Sequence, residues 1–160
     1  MKECREDQVV KACSEEDITF PGMDSCIGVV CILQDGDRWA THCVQDHGSS
    51  KAIETMQNGI STKKVVSVLV LGNIDFWGTE LESQKELVTK YKISDANYMK
   101  MQQELEQRNL THNLPAAKTY LSKLFGCDKT KVYFARCSGN VRQGGTEITS
   151  SRNDVVKIGW

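Results

Sequence analysis

The chain has 160 residues, with 20 lysines and arginines against 21 aspartates and glutamates, a formal net charge of -1, and seven cysteines. That length suits a single domain over residues 1–160, able to bury about two thirds of its unfolded surface without disulfide or metal staples. The balanced charge, with no basic run or aromatic–basic patch, argues against nucleic acid as a partner. The longest apolar runs, Ile27–Leu33 and Val65–Leu71, are too short to cross a bilayer.

The opening stretch, MKECREDQVV, is charged and lacks the apolar centre of a secretory signal. An odd cysteine count without framework spacing fits free thiols in a reducing compartment. The expectation is a cytoplasmic monomer with no membrane partner; export into a host cell is not legible. Asn109-Leu110-Thr111 is a glycosylation acceptor in form only.

In chain order, Gln8–Cys13 and Ile18–Phe20 are short apolar pieces separated by the acidic Ser14–Asp17 turn. Ile27–Leu33, rich in Ile and Val, reads as a buried strand. Asp35-Gly36 predicts a hairpin turn and Arg38–Val44 the returning strand. With the turn centred on Asp35–Gly36, residue i pairs with about 71 − i. His42 then faces Val29, roughly 10 Å along the strand from Cys26. Ser49 or Ser50 caps a helix to about Asn58, burying Ala52, Ile53 and Met56, with Gly59 as its stop. Val65–Leu71 is a second buried strand. Leu81, Gln84, Val88 and Tyr91 recur at helical spacing, as do Tyr98, Met101 and Leu105. Pro115 opens a further helix that ends at Gly126. Lys131–Arg136 is a strand, and Val141–Thr149 with Val155–Trp160 form a terminal hairpin. The order gives an α/β (α+β) class: a mixed β-sandwich core flanked by helices.

Cys26 and His42 are the pair with chemical promise. A thiol becomes a strong nucleophile as thiolate, and a nearby imidazole can take its proton and later return one to a leaving group. Gly22-Met23-Asp24-Ser25 is a tight polar entry that leaves the sulfur at a strand end, where backbone N–H groups can meet a developing oxyanion. From spacing alone, a buried structural cysteine together with a surface histidine is the commoner arrangement.

The other cysteines read more plainly. Cys31 and Cys43 are small core residues, Cys4 and Cys13 suggest no role, and Cys127 and Cys137 stay reduced. His42, Cys43 and His47 fit no zinc-finger spacing, and adjacent strand residues point to opposite faces, so no metal is expected. Asp46 and Asp24 read as loop solvation, with Asp24 near enough to the entry to touch substrate. Trp77 reads as rim packing or a substrate contact, with packing favoured, and Gly144-Gly145 as a hairpin or bulge.

"DSCIGVVCI" followed by "WATHCV" resembles the cysteine and histidine strands of the CheD-like glutamine deamidase superfamily. That group includes the chemotaxis receptor deamidase, the cytotoxic necrotizing factor toxins and the eukaryotic N-terminal asparagine amidohydrolase. "VVSVLVLGNIDF" is similar to the family's strand entering a glycine turn, and "KVYFARCSGNVRQGGTEITSSRNDVVKIGW" to its closing strand and terminal hairpin. Thr79–Gly126 matches least. The likeness implies the CheD-like deamidase fold, with Cys26 at the nucleophile position and His42 at the general base position. A threonine side chain or a backbone carbonyl orients the histidine in the family. Thr19 is the nearest candidate here, although Phe20 aligns with the chemotaxis deamidase pattern.

The signature before the cysteine is changed to Met23-Asp24-Ser25, and the stretch after the histidine to Cys43-Val44-Gln45-Asp46-His47. Thr41-His42-Cys43 is closer to the asparagine amidohydrolase. The activity implied is conversion of a target protein's Gln to Glu through a thioester, with ammonia released and no cofactor or metal. The partner is a protein bearing an exposed Gln or Asn, and a bacterial effector or toxin role is within the family's range. The alternatives are an N-terminal Asn amidohydrolase, a transglutaminase-like activity, or a non-catalytic protein-binding module on the same fold.

Overall fold

Ile27–Leu33 carries no polar side chain, and its strand is almost wholly buried on both faces. Everything else in the described chain is arranged about it. The computed structural model describes residues 1–44, 50–73, 114–137, 146–151 and 156–159. Their elements run β1 (Lys2–Glu3), β2 (Val9–Ala12), β3 (Ile18–Pro21), β4 (Ile27–Leu33), β5 (Arg38–Cys43), α1 (Ser50–Ile60), β6 (Val65–Gly72) and α2 (Leu114–Phe125). A 3-10 turn (Lys129–Lys131), β7 (Val132–Arg136), β8 (Glu147–Ser150) and β9 (Val156–Gly159) follow. The helical patterns between Leu81 and Leu105, Trp77, His47 and Gly144-Gly145 lie outside the described residues.

Two sheets form, a five-stranded one in the order β2-β5-β4-β6-β7 and a four-stranded one in the order β1-β3-β8-β9. Each holds one parallel pair, β6 with β7 and β1 with β3. The period of two along β4 explains the layering. Ile27, Val29, Cys31 and Leu33 face α1 and α2, packing on Ile53, Met56, Ile60, Leu121 and Phe125. Val30, together with Cys26 just ahead of the strand, faces the four-stranded sheet through Ile18, Phe20 and Ile148. The protein is thus a mixed α+β fold of two sheets, with the described helices against the outer face of the larger one. No helix among the described residues is long and apolar enough to cross a membrane.

The β4–β5 hairpin differs by one residue from the sequence expectation. Leu33 donates its N–H to Asp37 O at 2.8 Å, so the loop holds three residues, Gln34, Asp35 and Gly36, with Gly36 at φ 89°. A three-residue loop with its last residue at positive φ is a standard hairpin closure. Paired residues then sum to 70 rather than 71, and His42 lies opposite Gly28, not Val29. The helix α1 also runs past its expected stop: Gly59 is inside it, with no room for a Cβ beside the Trp39 ring, and Ser61 at φ 53° follows its end.

Arg38 ties the two sheets together. It is buried, and its guanidinium donates to Ser150 O (3.3 Å), Ser151 O (3.4 Å) and Cys13 O (3.4 Å). A buried acceptor left unmade costs about 1–3 kcal/mol. Arg38→Met keeps the stem and removes all three donors, so it is expected to destabilise by at least about 2 kcal/mol. A fall in the urea midpoint at constant slope checks this; an unchanged midpoint would mean the guanidinium contributes nothing net.

Candidate active site

The one-residue register difference places His42 and Cys26 on one face. His42 is opposite Gly28, and Cys26 is two residues before Gly28, so both side chains project between the sheets. Glycine at position 28 leaves the space that Phe20 fills. A Cβ there would lie 2.8 and 2.9 Å from two Phe20 ring carbons. The Phe20 ring in turn meets the His42 ring edge-on, with centroids 6.1 Å apart.

His42 is fully buried. Its Nδ1 lies 3.1 Å from Cys4 O, and a carbonyl only accepts, so Nδ1 carries the hydrogen. Nε2 is then the basic nitrogen, and it is buried without a hydrogen-bond partner among the described residues. Cys4 is itself fixed, because its N–H donates to Thr19 O at 2.7 Å. The Asp7 N–H donates to His42 O at 2.9 Å, and Glu6 bridges in parallel with His42. Burial pushes the His42 pKa below the ordinary imidazole value of 6.5, against the Cys4 carbonyl, Glu6 and Asp7, which favour the cation. At neutral pH the ring is therefore neutral and able to accept a proton.

Cys26 is set by its entry loop and by the end of β6. Gly22 turns at φ 66°, and Met23, wholly buried, donates its N–H to Thr146 O at 2.9 Å. Asn73 holds the loop from the other side. Its Nδ2 donates to Asp24 O at 2.8 Å and its N–H to Cys26 O at 3.3 Å. Cys26 itself is 4% exposed.

The thiol of Cys26, a ring nitrogen of His42 and a carboxylate oxygen of Glu6 all lie within 4.8 Å of one another. Glu6 is exposed, whereas its two companions are buried. This trio contains the expected pair and one residue the sequence reading missed. Glu6 lies 20 positions before Cys26, and only the parallel bridge beside β5 brings it in. The Cys4 carbonyl and Asn73 were missed for the same reason: their contributions are hydrogen bonds between segments remote in sequence.

Thr19 is not at the imidazole through its side chain. Its Oγ1 is 2.8 Å from Met1 Sδ and 3.2 Å from Thr149 Oγ1. The group that orients His42 is the Cys4 carbonyl, and Thr19 supports it only through its own backbone. Cys43 faces the helices, away from His42, so the pair cannot share an ion. Two of the other buried thiols, Cys4 and Cys31, are ill suited to nucleophilic work. Burial pushes Cys4 up to about 12 and raises Cys31 as well, and neither forms thiolate near neutral pH. All seven cysteines are free of disulfides.

No protein-family model matches the chain, and no curated protein matches it in sequence.

Proposed function

We propose that this chain is a thiol-dependent amidohydrolase that deamidates a glutamine side chain on a target protein. The observation that carries the reading is one grouping. A strand-end cysteine lies within 4.8 Å of a ring nitrogen of a buried histidine, whose Nδ1 is fixed by a backbone carbonyl. The likeness of "DSCIGVVCI" and "WATHCV" to the CheD-like deamidases supports the same chemistry.

His42 Nε2 takes the Cys26 proton, and the thiolate attacks the carboxamide carbon. The protonated imidazole then gives its proton to the departing nitrogen, releasing ammonia and leaving a thioester. His42 next takes a proton from water, which attacks the thioester carbon. The Cys26 thiolate leaves and is reprotonated, and the amide has become a carboxylate. The product carries one more negative charge than the substrate, enough to rearrange ion pairs on the target surface.

Glu6 favours a second reading. An exposed carboxylate beside the nucleophile is suited to a substrate whose amide sits next to an ammonium group, as in an amino-terminal asparagine. Peptides decide between the two. Ammonia release is measured with an internal Gln, an amino-terminal Asn, and the same Asn peptide acetylated at its amine. Glutamine deamidation expects turnover of the first with little effect of Glu6→Gln. The second reading expects turnover of the free-amine Asn peptide alone, weakened several-fold by acetylation or by Glu6→Gln. No ammonia from any peptide or candidate protein, with Cys26 intact and reduced, leaves a binding module. Ammonia appearing only with an added amine indicates transamidation.

A further inference from the structure

We propose that Glu6, Cys26 and His42 bind one zinc-type divalent ion, and that the ion and the nucleophilic thiol exclude each other. The ion site stands on the geometry alone; the inhibition it implies rests on the amidohydrolase reading.

The donor set is chemically apt. A thiolate, an imidazole nitrogen and a carboxylate oxygen are the three ligand types zinc takes from proteins, whereas calcium and magnesium favour oxygen alone. Donors on a tetrahedral zinc ion sit about 3.4 Å apart, from Zn–ligand distances of about 2.0–2.3 Å. The three atoms here lie within 4.8 Å. Glu6 is exposed and can swing toward the two buried donors, and a thiol rotation at Cys26 closes what separates them.

A separate feature points to a ligand. His42 Nε2 is fully buried with no hydrogen-bond partner among the described residues, and an unpaired buried nitrogen is a cost that an ion would remove. Its Nδ1–H on the Cys4 carbonyl is the outer contact that zinc-ligating histidines make, fixing the tautomer that leaves Nε2 free to coordinate.

Binding is not redox. The neutral imidazole donates its lone pair, Glu6 binds as carboxylate, and Cys26 loses one proton to buffer, so one proton is released per ion. Water takes the fourth position. With its sulfur on the ion, Cys26 cannot attack a carbonyl carbon.

The test uses full-length protein in a non-thiol reductant, titrated with Zn²⁺ against a chromophoric chelator and with Co²⁺ for its thiolate charge-transfer band. The expected result is one equivalent bound, one proton released, and loss of both binding and band in Cys26→Ser and His42→Gln. Removing even an outer-shell partner costs about 10–100-fold in affinity, so Glu6→Gln is expected to cost at least that while keeping the cobalt–sulfur band. Absence of stoichiometric binding, or binding unchanged in Cys26→Ser or Glu6→Gln, overturns the site. The two readings fail separately. Ion bound at the trio without loss of ammonia release moves catalysis away from Cys26 and leaves the ion site standing. Ammonia release that depends on Cys26 but shows no ion binding does the reverse.

Discussion

His42→Ala is expected to abolish ammonia release while leaving the fold in place. On the proposed mechanism the substitution removes the base that activates Cys26 and the acid that protonates the leaving nitrogen, and general acid–base help alone is worth about 10²–10⁴-fold. Because the two residues act on one reaction path, Cys26→Ala combined with His42→Ala should be little worse than either alone. Thr19→Val should matter far less, since its hydroxyl contacts Met1 and Thr149 instead of the imidazole. Circular dichroism is the folding control, and His42→Gln, which fills more of the buried space, serves if the alanine variant is unstable.

Alkylation gives a second readout. Cys13 is exposed and Cys26 is not, so Cys13 should label faster on access alone. The informative quantity is the Cys26 rate relative to Cys13, which should fall when His42 is removed. A pH dependence accompanies it. The unfolded imidazole takes a proton near 6.5 and the folded one only at lower pH, so this group's stabilising effect is complete above 6.5 and lost as pH falls. Folded His42→Gln should lack that part of the acid sensitivity. A fully active, folded His42→Ala would remove the pair from the mechanism and make His47 the next base to test.

The sandwich was legible because its strands announce themselves. Ile27–Leu33 is a continuous apolar run and Val65–Leu71 is broken only by Ser67, and buried strands need such runs. Asp35-Gly36 marked the hairpin but not its loop length, and one residue of loop moved His42 from Val29 to Gly28. That small difference decides whether His42 shares a face with Cys26, since an odd shift in register moves a side chain to the other face. Glu6, the Cys4 carbonyl and Asn73 were beyond reach of pattern. Each arrives by a contact between segments far apart in sequence, and no local spacing encodes it. Thr19 shows the converse: a residue close to the right place whose side chain is turned to a neighbouring strand. The group that orients His42, the Cys4 carbonyl, came only from the fold.

Gly72→Ala is expected to damage both stability and turnover. Gly72 closes β6 at φ 117°, a conformation that L side chains rarely adopt. Strain of this kind costs about 1–3 kcal/mol. A Cβ added there would also lie 2.8 Å from the Cys26 carbonyl oxygen, 2.9 Å from Met23 Cε and 3.3 Å from Ile27 Cα. Met23 could swing its methyl aside, but the other two atoms are backbone of the strand entry and cannot yield without moving Cys26. Overpacking adds about 1–3 kcal/mol, so the combined loss is on the order of 2–6 kcal/mol. The same residue accepts the Cys137 N–H at 2.9 Å, and its neighbour Asn73 holds the Cys26 carbonyl, so displacement reaches the whole strand end. A shift of about 1 Å in a reacting group can cost about 10²-fold in rate. Gly126→Ala is the control. It too has positive φ, 68°, but nothing lies within 4 Å of its added Cβ. It should lose some stability to strain and keep its turnover. Urea midpoints and ammonia release from the same preparations separate the two effects. A Gly72→Ala protein as stable and as active as wild type would mean that the approach of β6 to the Cys26 carbonyl does not set the position of the thiol.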